Sequence, residues 1–136
     1  MIDPFDPNTW GPSNHEFRIY GDDNAQTWAV IDEQDYQWAV QWRWCWKTSR
    51  CGKLYLRRAV GENANGLRLR TTTLYLHVEI MKRTGILAPS EHFKLVDHRD
   101  GNSQNNKRSN LRWATYSMNS KNLFGQRSHD LLEMVI

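Results

Sequence analysis

Apolar and polar positions alternate in short stretches along this chain, and their spacing predicts several small elements rather than a few long ones. Residues 1–26 carry Pro4, Pro7 and Pro12 with little apolar periodicity and read as an irregular arm. TWAVI at 27–31 predicts a strand. Asp32 then caps a short helix over DEQDYQWAV, which sets Tyr36 and Val40 on one face at i, i+4. WRWCWK at 42–47 alternates in the strand period, with Trp42, Trp44 and Trp46 on one side. KLYLRRAV (53–60) and LRLRTTTLYL (67–76) are also strand-like, with the turn pair Asn65-Gly66 just before the second. Together they predict a small antiparallel sheet. HVEIMKRT (77–84) predicts a helix stopped by Gly85 and Pro89.

The block 94–123 has a different rhythm. KLVDH reads as a strand, RDGNSQNNKRSN as a loop of turn formers, and LRWAT as a second strand. Thr115 or Ser117 can cap a helix through YSMNSKNL. The tail LFGQRSHDLLEMVI can add a terminal helix with Leu131, Leu132 and Val135, and no internal repeat is visible. The pattern predicts an α+β fold. Its parts are an arm (1–26), a small antiparallel sheet with short helices (27–84), a strand–loop–strand–helix unit (85–123) and a tail (124–136).

Composition narrows the class. At 39% hydrophobic and 24% charged residues, the 136-residue chain has enough apolar content for a packed core. It holds no apolar run long enough to cross a membrane, and MIDPFDPNTW lacks the features of a signal peptide, so a cytoplasmic protein is expected. Cys45 and Cys51 form no CxxC pair and read as reduced packing residues. The net charge of +3 hides an asymmetry: residues 1–37 sum to −7 and residues 38–136 to +10. A basic body suits a polyanion, because each phosphate neutralised releases counterions.

Candidate chemistry concentrates in 94–123. Phosphodiester hydrolysis needs a base for water and a cation to offset phosphate charge. Asp97 and His98 are adjacent at a strand end, and Asn119 follows His98 by twenty-one positions on the predicted helix. A carboxylate and an amide carbonyl are hard oxygen ligands suited to Mg2+ or Mn2+. His98 titrates near neutrality and is the natural general base. Asn110, twelve positions after His98, can pin the loop that orients the imidazole.

VDHRDGNSQNNKRSNLRWATYSMNSKN resembles the core of HNH (ββα-metal) endonucleases, above all the phage and intron-encoded homing-type group. WAVIDEQDYQWAVQWRW and LYLHVEIM resemble the small sheet that often precedes that core, although Val78 and Glu79 depart from its usual sequence. The resemblance spans roughly residues 27–123. It implies a phosphodiester hydrolase with His98 as base, Asp97 and Asn119 as ligands of one divalent cation, and Asn110 as the middle N of the family name. It implies DNA, expected double-stranded, as partner, leaves a homodimer open, and suggests a phage-encoded protein acting in the host cytoplasm. Arg99 stands where a small aliphatic residue is common and is a candidate for the sugar-phosphate backbone.

Further DNA contacts are expected from Arg57, Arg58, Arg68 and Arg70 on the sheet, the last two opposite Leu67 and Leu69, and from Lys107, Arg108, Arg112 and Lys121. The Trp stripe can pack on helices or stack bases, and packing is the expectation. Asn102, Asn105 and Asn106 read as loop formers, and His77 as a buried or capping histidine. Two rival classes stand beside the nuclease. One is a catalytically silent DNA-binding module of the same fold. The other is a structural metal-binding or RNA-binding domain, supported only by the Trp stripe.

Overall fold

A helix of eight residues, Leu76–Arg83, joins the two halves of the molecule by touching strands of both. Its buried side chains, Leu76, Ile80 and Met81, recur at the i, i+4, i+5 spacing that makes one apolar stripe. The computed structural model describes residues 16–64 and 67–122, with backbone alone over 62–64 and 67–70. In chain order the elements are β1 (Phe17–Gly21), β2 (Asn24–Ile31), α1 (Glu33–Ala39), β3 (Cys45–Thr48), β4 (Leu54–Ala64), β5 (Leu67–Tyr75), α2 (Leu76–Arg83), β6 (Leu95–His98), β7 (Leu111–Ala114) and α3 (Tyr116–Lys121).

The fold is α+β. The single sheet expected over 27–84 is instead two small antiparallel ones, β1-β2 and β3-β4-β5, and β6-β7 forms a third in the strand–loop–strand–helix unit. β1 is a strand inside the expected irregular arm. Its Ile19 is buried, and it pairs with β2 through Ile19↔Ala29. The edge of β2 is covered by the loop before β7. Val30 N–H donates to the Gln104 carbonyl at 2.7 Å, and Asn106 N–H donates to the Val30 carbonyl at 2.7 Å. An edge satisfied in this way is closed to other chains.

The core joins Ile19, Ala29, Ile31, Trp44, Leu56, Leu76, Ile80, Val96 and Leu111 in one cluster. Trp44 is sealed, and its Nε1 donates to the Ala39 carbonyl at 2.9 Å. Truncating such a residue costs about 3–5 kcal/mol. β3 begins only at Cys45, so Trp42 and Trp44 precede it, and Trp42 and Trp46 pack against the core. The Trp residues are therefore packing residues. Cys45 and Cys51, expected to pack, are instead exposed free thiols.

The inner face of α1 also differs from expectation. Asp35 and Ala39 are its buried positions, while Val40 is 46% exposed. A carboxylate occupies the inner stripe because two arginines meet it there. Arg108 Nη2 lies 2.7 Å from Asp35 Oδ1 and Arg83 Nε lies 3.0 Å from the same oxygen. Asp32 caps α1 by position without a side-chain bond to the helix, and its Oδ2 instead accepts the Arg108 N–H at 2.8 Å. Asp35 thereby ties together α1, α2 and the turn ahead of β7. Thr115, rather than Ser117, caps α3, accepting from Met118 N–H. The Asn65-Gly66 turn and the tail helix lie outside the described residues. Among the described residues, no helix is long and apolar enough to cross a membrane.

Candidate active site

β6 is four residues long, and its last three, Val96, Asp97 and His98, are all buried. It pairs with β7 through Asp97↔Arg112 and His98↔Leu111, and α3 packs on both strands. Past His98 the chain turns sharply, with Gly101 N–H donating to the His98 carbonyl at 2.8 Å. Gly101 sits at φ +75°, a conformation that costs L side chains strain but glycine almost none.

Asn110 holds that turn from three sides. Its Oδ1 accepts Asp100 N–H at 3.0 Å, and its Nδ2 donates to Asp100 Oδ1 at 2.9 Å and to the Asn105 carbonyl at 2.8 Å. Burial alone would raise the Asp100 pKa. Hydrogen bonds from Asn105, from Asn102 N–H and from Asn110 outweigh burial and hold it below the usual carboxylate value. The loop is thus internally crosslinked before any ligand is present.

The residue that touches the His98 ring is Asn106, which sequence reasoning took for a loop former. Its Oδ1 lies 2.6 Å from His98 Nε2, and Asn106 itself is buried. An amide oxygen there accepts a hydrogen bond from Nε2–H, which leaves Nδ1 as the nitrogen with a free lone pair. Burial lowers the His98 pKa, and the Asn106 bond and nearby Asp97 and Asp100 offset this only in part. Burial thus favours the neutral imidazole.

Asp97 receives all its side-chain hydrogen bonds among the described residues on Oδ2: Arg112 Nε at 3.0 Å and Asn122 Nδ2 at 2.9 Å. Oδ1 carries no hydrogen bond among the described residues, and Asp97 lines the cavity. Asn122 is 1% exposed and was not singled out from sequence. Its spacing of i+3 from Asn119 was the signal available, because it sets both amides on one side of α3. Asn119 is exposed and faces the same cavity as Asp97 and His98.

The cavity measures about 520 Å3, and the β3–β4 hairpin, the start of α2, β6 and α3 frame it. His77 lies inside it with its ring centroid 4.8 Å from that of His98, and Tyr55 sits 5.4 Å from His77. Burial, with His98 close by, pushes the His77 imidazole well below its usual pKa. Among the described residues, no cluster of three or more His, Cys, Asp or Glu side chains is placed to hold a metal. The hard oxygen donors that line this cavity are the Asp97 carboxylate and the Asn119 amide, and that pair fits a hard cation that retains several waters, such as Mg2+.

The cations expected to touch DNA have several fates. Arg58 stacks over Trp42 at 4.2 Å, Arg108 is spent on Asp35, and Arg112 is spent on Asp97. Arg57 is half-buried on the sheet, opposite Cys45 and Tyr75. Arg99, Lys107 and Lys121 are exposed. The side chains of Arg68 and Arg70 lie outside the described residues. Comparison with known proteins finds no match among family models, curated proteins or solved structures.

Proposed function

We propose that this chain is a metal-dependent DNA endonuclease of the HNH (ββα-metal) kind, with β6, β7 and α3 as its ββα unit. The observation that carries this reading is the convergence of a neutral, oriented His98 with Asp97 and Asn119 on one cavity. Phosphodiester hydrolysis asks for these functions side by side.

His98 Nδ1 takes a proton from water as the water oxygen forms its bond to phosphorus. The P–O3′ bond breaks, the 3′ oxygen acquires a proton from solvent, and His98 returns its own proton to solvent. The products are a 5′-phosphate and a 3′-hydroxyl. Asn106 keeps the ring from turning, and Asn110 keeps the following loop from pulling it away. The Asp97 carboxylate and the Asn119 amide are the groups that would hold the cation. Bound there, Mg2+ supplies charge neutralisation at the phosphate and the leaving oxygen.

The test is conversion of supercoiled plasmid by purified protein in Mg2+, in EDTA, and with His98→Ala. Nicked or linear product in Mg2+, absent in EDTA and reduced about 10²–10⁴-fold in the variant, is expected. No conversion in Mg2+ or Mn2+, or equal conversion by His98→Ala, would remove the nuclease reading.

A further inference from the structure

The rim of the cavity holds cations that the reading above does not use. Lys47 belongs to β3, Arg50 to the turn between β3 and β4, Lys53 to the entry of β4, and Lys94 to the entry of β6. Lys47, Arg50 and Lys94 are exposed. Among the described residues none of the three is in a salt bridge, whereas Arg83, Arg108 and Arg112 are all engaged with buried carboxylates. Among the described residues, Asp97 is the one acidic residue lining the same cavity. Four positive side chains thus surround one buried negative one. Low-dielectric walls focus such a field on whatever enters.

The strand register extends this surface. Lys47 pairs with Tyr55, Cys45 with Arg57, and Arg57 with Tyr75. Directly paired residues in an antiparallel sheet project to the same side, and so do residues two apart along a strand. Lys47, Tyr55, Arg57 and Tyr75 therefore share one sheet face, and Tyr55 and Tyr75 place that face at the cavity. Lys53 is already fixed in position, its Nζ donating to the Gly101 carbonyl at 2.8 Å beside the His98 turn.

We infer that the cavity rim formed by Lys47, Arg50, Lys53 and Lys94, continued by Arg57 on the adjoining sheet face, is the surface that seats the phosphate backbone of duplex DNA. This rests on the nuclease reading and deepens it. It moves the principal DNA contacts away from Arg108 and Arg112, whose charges are paired inside the fold, and from Arg58, whose guanidinium is stacked on Trp42. The phosphates flanking the bond to be cut lie on the β3–β4 hairpin on one side and at Lys94 on the other. Three lysines and two arginines, on the β3–β4 hairpin and at the entry of β6, read charge and spacing, not base sequence, so this surface binds without sequence preference.

The experiment measures binding of a fluorescent duplex by anisotropy in EDTA over a salt series, with plasmid nicking in Mg2+ run in parallel. The proteins are wild type, Lys47→Gln/Arg50→Gln/Lys94→Gln, Lys94→Gln alone, and the control Arg43→Gln/Lys82→Gln. The control removes two exposed cations that do not line the cavity. Each phosphate contact contributes about 0.9 to the log–log salt slope, so the triple variant should lose roughly 2–3 in slope. The resulting gap in affinity closes toward 1 M salt and is about 10²-fold at 0.1 M salt. Lys94→Gln should lose about one in slope and the control none. An unchanged slope in both rim variants overturns the surface, and if wild type still nicks plasmid the nuclease reading survives. Slope loss without any nicking by wild type keeps the surface and sinks the reading. Equal binding of polyglutamate peptide or an unpaired DNA strand in place of the duplex also overturns the inference.

Discussion

Asn122 donates from Nδ2 to Asp97 Oδ2 at 2.9 Å, and the same nitrogen reaches the His98 carbonyl at 2.7 Å. One buried amide at the end of α3 therefore clamps the carboxylate and the backbone of the adjacent histidine together. With Arg112 it holds Asp97 Oδ2, which leaves Oδ1 without a hydrogen bond among the described residues.

Asn122→Ala leaves those acceptors without their donor. Stability should fall by about 1–3 kcal/mol, measured by urea unfolding. The Mg2+ concentration for half-maximal cleavage should rise about 10–100-fold, the usual cost of losing a group that orients a ligand. A stability loss with an unchanged Mg2+ requirement would reduce Asn122 to a packing residue.

Asn119 presents its side chain to the same cavity from the exposed side of α3. Asn119→Ala should lose most cleavage. Asn119→His should keep measurable cleavage and shift its preference from Mg2+ toward Mn2+, Co2+ or Ni2+, because imidazole favours the later metals. Rates across a panel of divalent ions test this, and normal cutting by Asn119→Ala in Mg2+ removes Asn119 from the ligand set.

Asp35, 0% exposed, joins α1, α2 and the turn before β7 through Arg83 and Arg108. Asp35→Asn leaves two guanidinium groups without their anion and should cost about 3–5 kcal/mol. Burial by itself raises the Asp35 pKa, but the hydrogen bonds from Arg108 and Arg83 outweigh it and hold it below the usual carboxylate value of about 3.9. For a carboxyl depressed on folding, the stabilisation is complete above that value and is lost as pH falls below it. Acid unfolding of wild type should therefore steepen below about pH 4, and the Asn variant should lack that component.

His77 acts in a separate window. Its imidazole is lowered well below 6.5 by burial and by His98. The unfolded chain then takes up the proton first. Stability from His77 is full above about pH 6.5 and declines as pH falls toward the lowered value. His77→Gln should flatten the dependence of unfolding free energy on pH between about 7 and 5 without changing the steep acid limb. An identical slope in the variant would show that His77 does not carry this dependence.

The strand–loop–strand–helix order at 94–123 was legible because local signals agreed. β6 and β7 are apolar-rich tetrads, the loop between them is dense in Asn, Ser and Gly, and Thr115 is a sound cap. The candidate group Asp97, His98 and Asn119 was legible from residue type and spacing, and these residues line one cavity. Asn106 was not legible, because nothing local separates it from Asn102 and Asn105 in the same loop. Its contact with His98 depends on the loop docking along β2.

Residue order along the chain determined the elements, the α+β class and the short list of groups able to do chemistry. These depend on neighbours a few residues away, through pleat, helical turn and cap. Tertiary packing alone decided which charges stay free. Arg58, Arg108 and Arg112 look like Lys47, Arg50 and Lys94 when read in line, yet the first three are spent on Trp42, Asp35 and Asp97. Asp35 and Arg108 lie 73 positions apart, and Asn122 and Asp97 lie 25 apart. A buried charge must find its partner wherever the fold brings one, and that requirement has no local signature.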